Sequence, residues 1–414
     1  MAASSWFTPI TRVFAHRNYA LYMGGMTPNL ITIWMQRVGV GWLAWEMTKS
    51  PTWLGVIAAA DLMPMLLLAP IAGAMTDRYI PLTLQKITQV LSVLHALALA
   101  VFLFAGWMNI GILFGLTLFL GLTHTLASTA RHAIVPATVP RAEFATAVAV
   151  DSALFNASRF IGPAIAGIVI LQVGVGGTFA ANVVGNLIFL GSMFFMDLEP
   201  PVREKKAGRN ILRDVGESFS YVRNHAGIGP ILFFMTLISV FIRPVQDMLP
   251  GFAGAVFDSG AVGLAWLTSG MGVGATMSAT WIALRGRVSG LTSMVLFGFL
   301  GLSLSTLGLV ATNYLWVAII FAVFSGFSLN AMSTGTQALV QYAVDDSKRG
   351  RVMGLYTLIY RGTPALGALG TGLLAECLGL RLTFAVAGGI CLVMWFSTLS
   401  RRSTMTAALE AEHS

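Results

Sequence analysis

The chain has 414 residues, of which 56% are hydrophobic and only 10% charged, against about 25% charged in an average soluble domain. A water-soluble protein is excluded, since no folded surface could hide that share of apolar side chains from water. The formal net charge of +8 would point to nucleic acid in a soluble chain, but here the placement of the basic residues accounts for it, and no nucleic-acid partner is expected.

A hydrocarbon core about 30 Å thick takes about 20 apolar residues per helix. Such stretches recur at 19–46, 52–76, 82–105, 109–131, 144–172, 176–197, 228–257, 261–284, 288–311, 314–343, 352–376 and 380–400. They lack the short alternating strands of a barrel, and lipid leaves a helix to satisfy its own backbone, so the expected fold is an all-α membrane protein of about twelve transmembrane helices. Arg12, His16 and Arg17 precede the first stretch without a cleavage site of small residues, so span 1 is expected to be retained.

Spans 1 and 2 each carry one charge. Arg37 lies nine residues before Glu46, and Asp61 nine residues after Thr52, about 13 Å along a helix in each case. Two antiparallel helices joined by the turn at Lys49, Ser50 and Pro51 would bring them face to face. An ionised group at the centre of a lipid-exposed helix costs about 2.5–3.5 kcal/mol on insertion scales, so both are expected to face a partner or a watery cavity.

Between spans 2 and 3 the chain reads Gly73-Ala-Met-Thr-Asp77-Arg78. Gly73 permits close helix approach, Asp77 suits the positive end of a neighbouring helix and Arg78 suits a carboxylate, a set fit to latch a gate. His95 and His124 fall within spans 3 and 4 and are read as hydrogen-bonded packing residues ahead of proton carriers. Span 5 reads Ser158-Arg159-Phe160-Ile161-Gly162-Pro163-Ala164-Ile165-Ala166-Gly167, with small residues for tight packing around a proline that removes one backbone donor.

The longest polar stretch, 199–226, divides the chain into six-span units at 1–198 and 227–402, with a tail at 403–414. Within it Ile211, Leu212, Val215, Phe219 and Val222 recur at helical spacing, as on an amphipathic surface helix. Span 7 carries Arg243 and Asp247 four residues apart on one face, where they can neutralise each other. Span 11 carries Arg361 and Pro364, a weak echo of Arg159 and Pro163, and Gln36 is echoed by Gln246, each beside a charge. The candidate cavity or proton-coupling charges are therefore Arg37, Asp61, Arg159, Arg243, Asp247 and Arg361, with Asp151 a shallower carboxylate. Four cations against two deep carboxylates imply an electropositive cavity, suited to an anionic or polyhydroxylated aromatic ligand.

Of the 25 lysines and arginines, 19 fall on the side of the N-terminus and only Lys49 and Arg381 on the other, which predicts that both termini are cytoplasmic. Trp6, Trp42, Trp45, Trp53 and Trp107 stand near span ends, as interfacial anchors do. Cys377 and Cys391 read as small buried hydrophobes with no disulfide or metal role. The chain lacks a phosphate-cradling Gly-x-x-x-x-Gly-Lys loop and a His and Cys grouping at metal spacing, so neither ATP hydrolysis, an enzyme activity nor a cofactor is expected.

The Gly73 to Arg78 turn resembles motif A of the major facilitator superfamily, Gly-x-x-x-Asp-Arg followed by Gly and several basic residues. Here Tyr79, Ile80, Pro81 and Leu82 stand in place of the basic run, leaving Lys86. Residues 158–167 are similar to that superfamily's antiporter motif, Gly-x-x-x-Gly-Pro-x-x-Gly-Gly, with Ser158 and Ala166 in place of two glycines and Gly162, Pro163 and Gly167 kept. Gln36-Arg37 through Gly41-Trp42-Leu43, Thr48 to Pro51, and Arg349 to Met353 through Arg361 to Gly367 resemble one branch, the transmembrane secretion effector or enterobactin exporter-like drug antiporters. The resemblance covers nearly the whole chain. It implies two six-helix bundles around a central cavity, a motif A gate at Gly73, Asp77 and Arg78, and alternating access in a bacterial inner membrane. The expected activity is proton-coupled export of a small amphipathic metabolite, siderophore-like compound or drug, by a monomer whose partners are substrate, protons and lipid. An importer or lipid flippase of the same fold is the alternative, and a transport-inactive receptor or scaffold is the alternative of another class.

Overall fold

The computed structural model describes residues 4–78, 80–198, 219–285, 289–345, 348–399 and 402–410, with side chains for all of these except 4–9, 69–78, 129, 132, 133 and 399. Every regular element among them is helical. Twelve spans run in the order Arg17–Thr48, Pro51–Arg78, Pro81–Phe104, Ile110–Ala137, Phe144–Val173, Val175–Phe194, Ile228–Val256, Gly260–Arg285, Leu291–Ala311, Leu315–Ala343, 349–378 and Leu380–Leu399. Among the described residues nine of these are long and apolar enough to cross a bilayer by composition alone. Spans 1, 8 and 11 are as long but carry arginines or frequent glycines, and each packs against the opposite half. The expected amphipathic stretch of the linker lies mostly outside the described residues.

Span 4 runs to Ala137, beyond the expected end near residue 131, because Ala130, Ile134 and Val135 continue its buried face past Arg131, and it turns only at Thr138, whose hydroxyl closes on the Val135 carbonyl at 2.7 Å. Arg131 therefore belongs to the helix and not to a cytoplasmic loop. Span 1 ends at Lys49, held in the left-handed region at φ 51° with its N–H on the Trp45 carbonyl, and Pro51 opens span 2, where a missing N–H costs nothing. Gly174 and Gly379, at φ 76° and 81°, each end one span and begin the next within a single residue. Only glycine takes that conformation freely, and the repeat of the device at the fifth and eleventh spans is an echo between halves.

Spans 1 to 6 pack on one another through 1 with 5 and 6, 3 with 4 and 6, and 2 with 4; spans 7 to 12 pack through 8 with 10, 9 with 10 and 12, and 11 with 7 and 12. The halves meet along two seams, span 2 on span 11 and span 5 on span 8. Prolines shape these contacts. A proline cannot donate to the carbonyl four residues earlier, and lipid offers no water in compensation. Pro64 thus frees the Ala60 carbonyl, and Gly121 of span 4 lies so close that an added Cβ would stand 2.7 Å from it. Pro163 frees the Arg159 carbonyl, and a Cβ on Gly272 of span 8 would stand 2.8 Å from it. Pro244 frees the Val240 carbonyl, against which Gly367 of span 11 is packed. In each case a glycine lets a neighbouring backbone, with its weakly polar Cα–H, reach the stripped oxygen.

One apolar core joins both halves at the face remote from the termini. It takes Leu43, Trp45 and Leu54 from the first half and Leu249, Phe252, Leu380 and Phe384 from the second. Trp45, only 5% exposed, is wedged against Gly251 and Gly254 of span 7, so it seals the seam and is not the interfacial anchor its position in the sequence implies. Toward the terminal face the core divides. Tyr19, Tyr22, Phe189 and Met193 cluster within the first half, and Ile231, Phe299, Leu339 and Trp395 within the second. The molecule is thus sealed at the far face and parted at the terminal face.

The seal has a polar clasp. Glu376 of span 11 accepts from the Ser50 hydroxyl at 2.6 Å and the Thr52 amide at 3.1 Å, so a carboxylate of one half caps the positive end of span 2 in the other. Below it, Gly372 lies against the Pro51 carbonyl and Gly55 against Ala368. Cys377, beside the clasp, is exposed while Cys391 is buried, so only the second behaves as a small core residue.

This packing is open to two checks. Gly272→Val forces a side chain into the Arg159 carbonyl and is expected to cost about 1–3 kcal/mol, read by thermal unfolding in detergent; an unchanged transition would contradict the close seam. Glu376→Ala removes two screened hydrogen bonds worth about 0.5–1 kcal/mol, so a cysteine at Leu54 should react with an impermeant maleimide about two- to fivefold faster; an unchanged rate would show that the clasp does not hold the seal.

Candidate functional site

The cleft between the halves gathers charges from spans 1, 2, 4, 5, 7 and 11. Arg37 Nη2 lies 2.7 Å from Asp61 Oδ2, with side chains 48% and 21% exposed. The antiparallel pairing of spans 1 and 2 around a short turn sets this contact, as equal depth along the two helices requires. The exposure says that the ion pair borders open space in the cleft and is not sealed in a dry core.

Trp34, one turn before Arg37, organises the cations. Its ring lies 5.4 Å from the Arg37 guanidinium and 5.5 Å from that of Arg159, so two positive groups share one aromatic face system, an arrangement favoured by the ring quadrupole. Phe155 meets the same indole edge to face at 6.1 Å. Arg159 also donates to Gln246 Oε1 of span 7 at 3.3 Å, bridging the halves.

Arg243 does not turn to Asp247, four residues along its own helix, as the sequence spacing implies. A π turn at Ile238–Ile242 and Pro244 interrupt span 7 around it, and its guanidinium donates instead to the Tyr360 carbonyl of span 11 while stacking 4.4 Å from the Tyr360 ring. That carbonyl is the one Pro364 leaves without its helical donor. Another π turn, Leu358–Gly362, carries Tyr360 and Arg361. Such turns add a residue to the helix and re-aim the side chains beyond it, and they concentrate at functional positions. Arg361 is exposed and interacts electrostatically with Arg243 and, across the cleft, with Arg131. Asp247 lies within the electrostatic reach of Arg37, Arg243 and Asp61, so the six candidate charges form one connected set.

Arg131 and Asp151 form a second ion pair at 2.6 Å between spans 4 and 5, each side chain 21% exposed, with the guanidinium 5.8 Å from the Phe155 ring. Sequence reasoning missed it because Arg131 sits at the edge of its apolar run. Tyr360 and Trp34 were missed too, since nothing distinguishes a cleft aromatic from a packing one in the sequence.

The glycines and proline of span 5 serve two neighbours. Gly162 lies against Trp34 and the Ile31 carbonyl of span 1, and Gly167 against Ala265 of span 8, while Ser158 is 1% exposed. Gly73, Asp77 and Arg78 close span 2, and their side chains lie outside those described. Gln36 and Gln246 turn out to have unlike environments. Gln36 is 3% exposed and accepts from Asn182 in a buried amide network, in which Asn29 and Gln89 donate to Asn186 Oδ1 at 2.9 and 2.7 Å. Gln246 meets Arg159 in the cleft. Their echo in the sequence therefore has no structural counterpart. His95 is 2% exposed and stacks on Phe119, but its Nδ1 has no hydrogen-bond partner among the described residues, so only the packing half of its expected role is met. His124 interacts electrostatically with Asp61 and Arg37.

This arrangement brings charges from both half-molecules together at the seam, and no group of His, Cys, Asp and Glu able to hold a metal ion occurs among the described residues. The comparisons agree. The family described as transmembrane secretion effector matches residues 5–413. The Staphyloferrin A transporter of Staphylococcus aureus is 23% identical over 396 residues, covering 95% of this chain and 97% of that protein. Macrolide efflux protein A of Streptococcus pyogenes is 21% identical over 373 residues, covering 88% and 91%. The crystal structure of a bacterial homologue of the iron transporter ferroportin in an inward-facing state superposes with a TM-score of 0.69 at 15% identity, covering 94% of this chain and 99% of that one. Charged cleft, twelve-span fold and full-length match converge: the chain belongs to the transmembrane secretion effector family and is an integral membrane transporter of the major facilitator type.

Proposed function

We propose that the chain is a proton-coupled exporter working by alternating access, with both termini in the cytoplasm of a bacterial inner membrane. The observation that carries this reading is the cleft itself: two arginine–aspartate pairs and three further arginines at the seam of two halves that are sealed at one face and parted at the other. The basic residues crowd the terminal face, which supports placing it in the cytoplasm. A cleft parted on that side is the state in which an exporter takes up its cargo. The sequence likeness of span 5 to the antiporter motif and the relatives named for staphyloferrin A transport and macrolide efflux support export.

The cargo fits the charge pattern. Arg159, Arg243 and Arg361 spend their bonds on a glutamine, a backbone carbonyl and open space, leaving guanidinium donors for an anionic group. Trp34, Phe155 and Tyr360 offer faces to an apolar or aromatic body. Asp247 accepts hydroxyl or amine donors from the same cargo, and a proton on Asp247 removes its charge and turns one of its two oxygens into a donor, which weakens its hold on those groups, so cargo and proton compete. Asp61, held by Arg37, releases that arginine when protonated, which alters the cohesion of spans 1 and 2 as the halves rock. The motif A residues Gly73, Asp77 and Arg78 stand at the cytoplasmic end of span 2, where a latch closes the cleft in the opposite state.

Liposomes with an imposed pH gradient, offered labelled anionic, neutral and cationic amphipathic compounds, test the reading. Gradient-driven movement of an anionic amphipathic compound is expected, and a preference for cationic compounds would overturn the assignment of the cargo. Asp247→Asn is expected to keep binding and exchange but to lose the response to the gradient; undiminished gradient-driven transport would remove Asp247 from coupling. Arg159→Gln should raise the concentration for half-maximal transport about tenfold, as loss of one charge-assisted hydrogen bond does; an unchanged value would place the cargo elsewhere.

A further inference from the structure

Away from the cleft, spans 8 and 9 both pack on span 10 and leave a lateral crevice of about 370 Å³ between them at the terminal face. Its floor is Phe327 and Ser328 of span 10, and its walls are Trp281 and Arg285 of span 8 and Ser293 and Phe297 of span 9. The rim opens away from the seam: Trp281, Leu284 and Phe297 are 44%, 75% and 56% exposed, which in this fold means lipid. We infer that this crevice is a binding site for an anionic phospholipid of the leaflet at the terminal face, its phosphate between Arg285 and Arg402 and an acyl chain laid over Phe297 and Phe327.

Arg285 is the last residue of span 8 and stands 5.8 Å from the Trp281 ring, giving one bond among the described residues, at 2.6 Å, to the Ser289 carbonyl. Arg402 opens the C-terminal helix Arg402–Glu410, donates to Ser293 Oγ at 2.9 Å and lies 5.8 Å from the Phe297 ring. A guanidinium has five N–H donors, so both keep most of theirs for a ligand at the depth where headgroups lie. Basic pockets between helices at that level are suited to anionic headgroups.

Arg402 is held there by its helix. Met405 and Leu409 are each 1% exposed, and Glu410 accepts from the Gly290 and Thr292 amides at 2.5 and 2.7 Å, capping span 9. Glu410 thereby gives both carboxylate oxygens to the first amides of span 9, and the two arginines make their own bonds to the Ser289 carbonyl and the Ser293 hydroxyl. The crevice lining includes no carboxylate among the described residues, so the amine of a zwitterionic headgroup finds no partner, while a free phosphate has no use for the apolar floor.

The test uses the full chain in nanodiscs of phosphatidylcholine with a minor share of phosphatidylglycerol, released into the gas phase for native mass spectrometry. Wild type should retain one phosphatidylglycerol in preference to phosphatidylcholine, and millimolar inorganic phosphate should not displace it. Arg285→Ala and Arg402→Ala should each lower that preference about fivefold, whereas Arg223→Ala, an exposed arginine elsewhere on the same face, should leave it unchanged. The single variants keep the test open should the double variant fail to fold. Equal retention of phosphatidylcholine, displacement by phosphate, or full retention in monodisperse Arg285→Ala and Arg402→Ala would overturn the site.

Discussion

An ionised side chain in the middle of a bilayer needs a partner or water, and it can have both only where two protein surfaces part. Arg37 and Asp61 meet at 2.7 Å on the edge of such a parting. That single requirement orders much of the molecule. It places charge-bearing spans from both halves at the seam, and it demands that the seam close somewhere else. The closure is the far-face core of Trp45, Leu54, Phe252 and Phe384, with Glu376 clasping Ser50 and Thr52 across it.

Backbone chemistry sets how tightly the seam fits. Prolines at 64, 163, 244 and 364 each strip a carbonyl of its helical donor, and each carbonyl is met from another span, three times by a glycine and once by the guanidinium of Arg243. The helices are thereby pinned at points where they are also bent or locally loosened, and two of the three π turns among the described residues fall beside Arg243 and around Arg361. Outside the far-face core, a seam built from backbone contacts and single hydrogen bonds suits surfaces that must separate and rejoin.

Much of this is legible in the residues. Span number and extent come from hydropathy, and the facing of Arg37 and Asp61 comes from equal depth on either side of a turn. The proline and glycines of span 5 announce close packing, but which neighbour each meets is not readable, since a helix face is assigned only by its partners. Arg243 misleads for the same reason: four-residue spacing pairs it with Asp247 on a regular helix, and a π turn followed by Pro244 makes the helix irregular there. Gln36 and Gln246 look alike in sequence yet lie in a buried amide network and in the cleft respectively. Trp45 shows the converse, an apparent interfacial anchor that becomes a wedge because Gly251 and Gly254 leave room for it. Arg131 is hidden because it stands where the apolar run ends in sequence, while the helix continues to the turn at Thr138.

Alternating access requires the two faces to exchange closure. Spin labels in lipid nanodiscs can report both at once, one pair at the exposed Trp107 and Tyr314 across the far face and another at the exposed Ala142 and Ser403 across the terminal face. On shifting pH or adding a transported compound, a second population should emerge in which the Trp107–Tyr314 distance lengthens as the Ala142–Ser403 distance shortens. Distances that stay single and fixed under every condition, or that lengthen together, would contradict it.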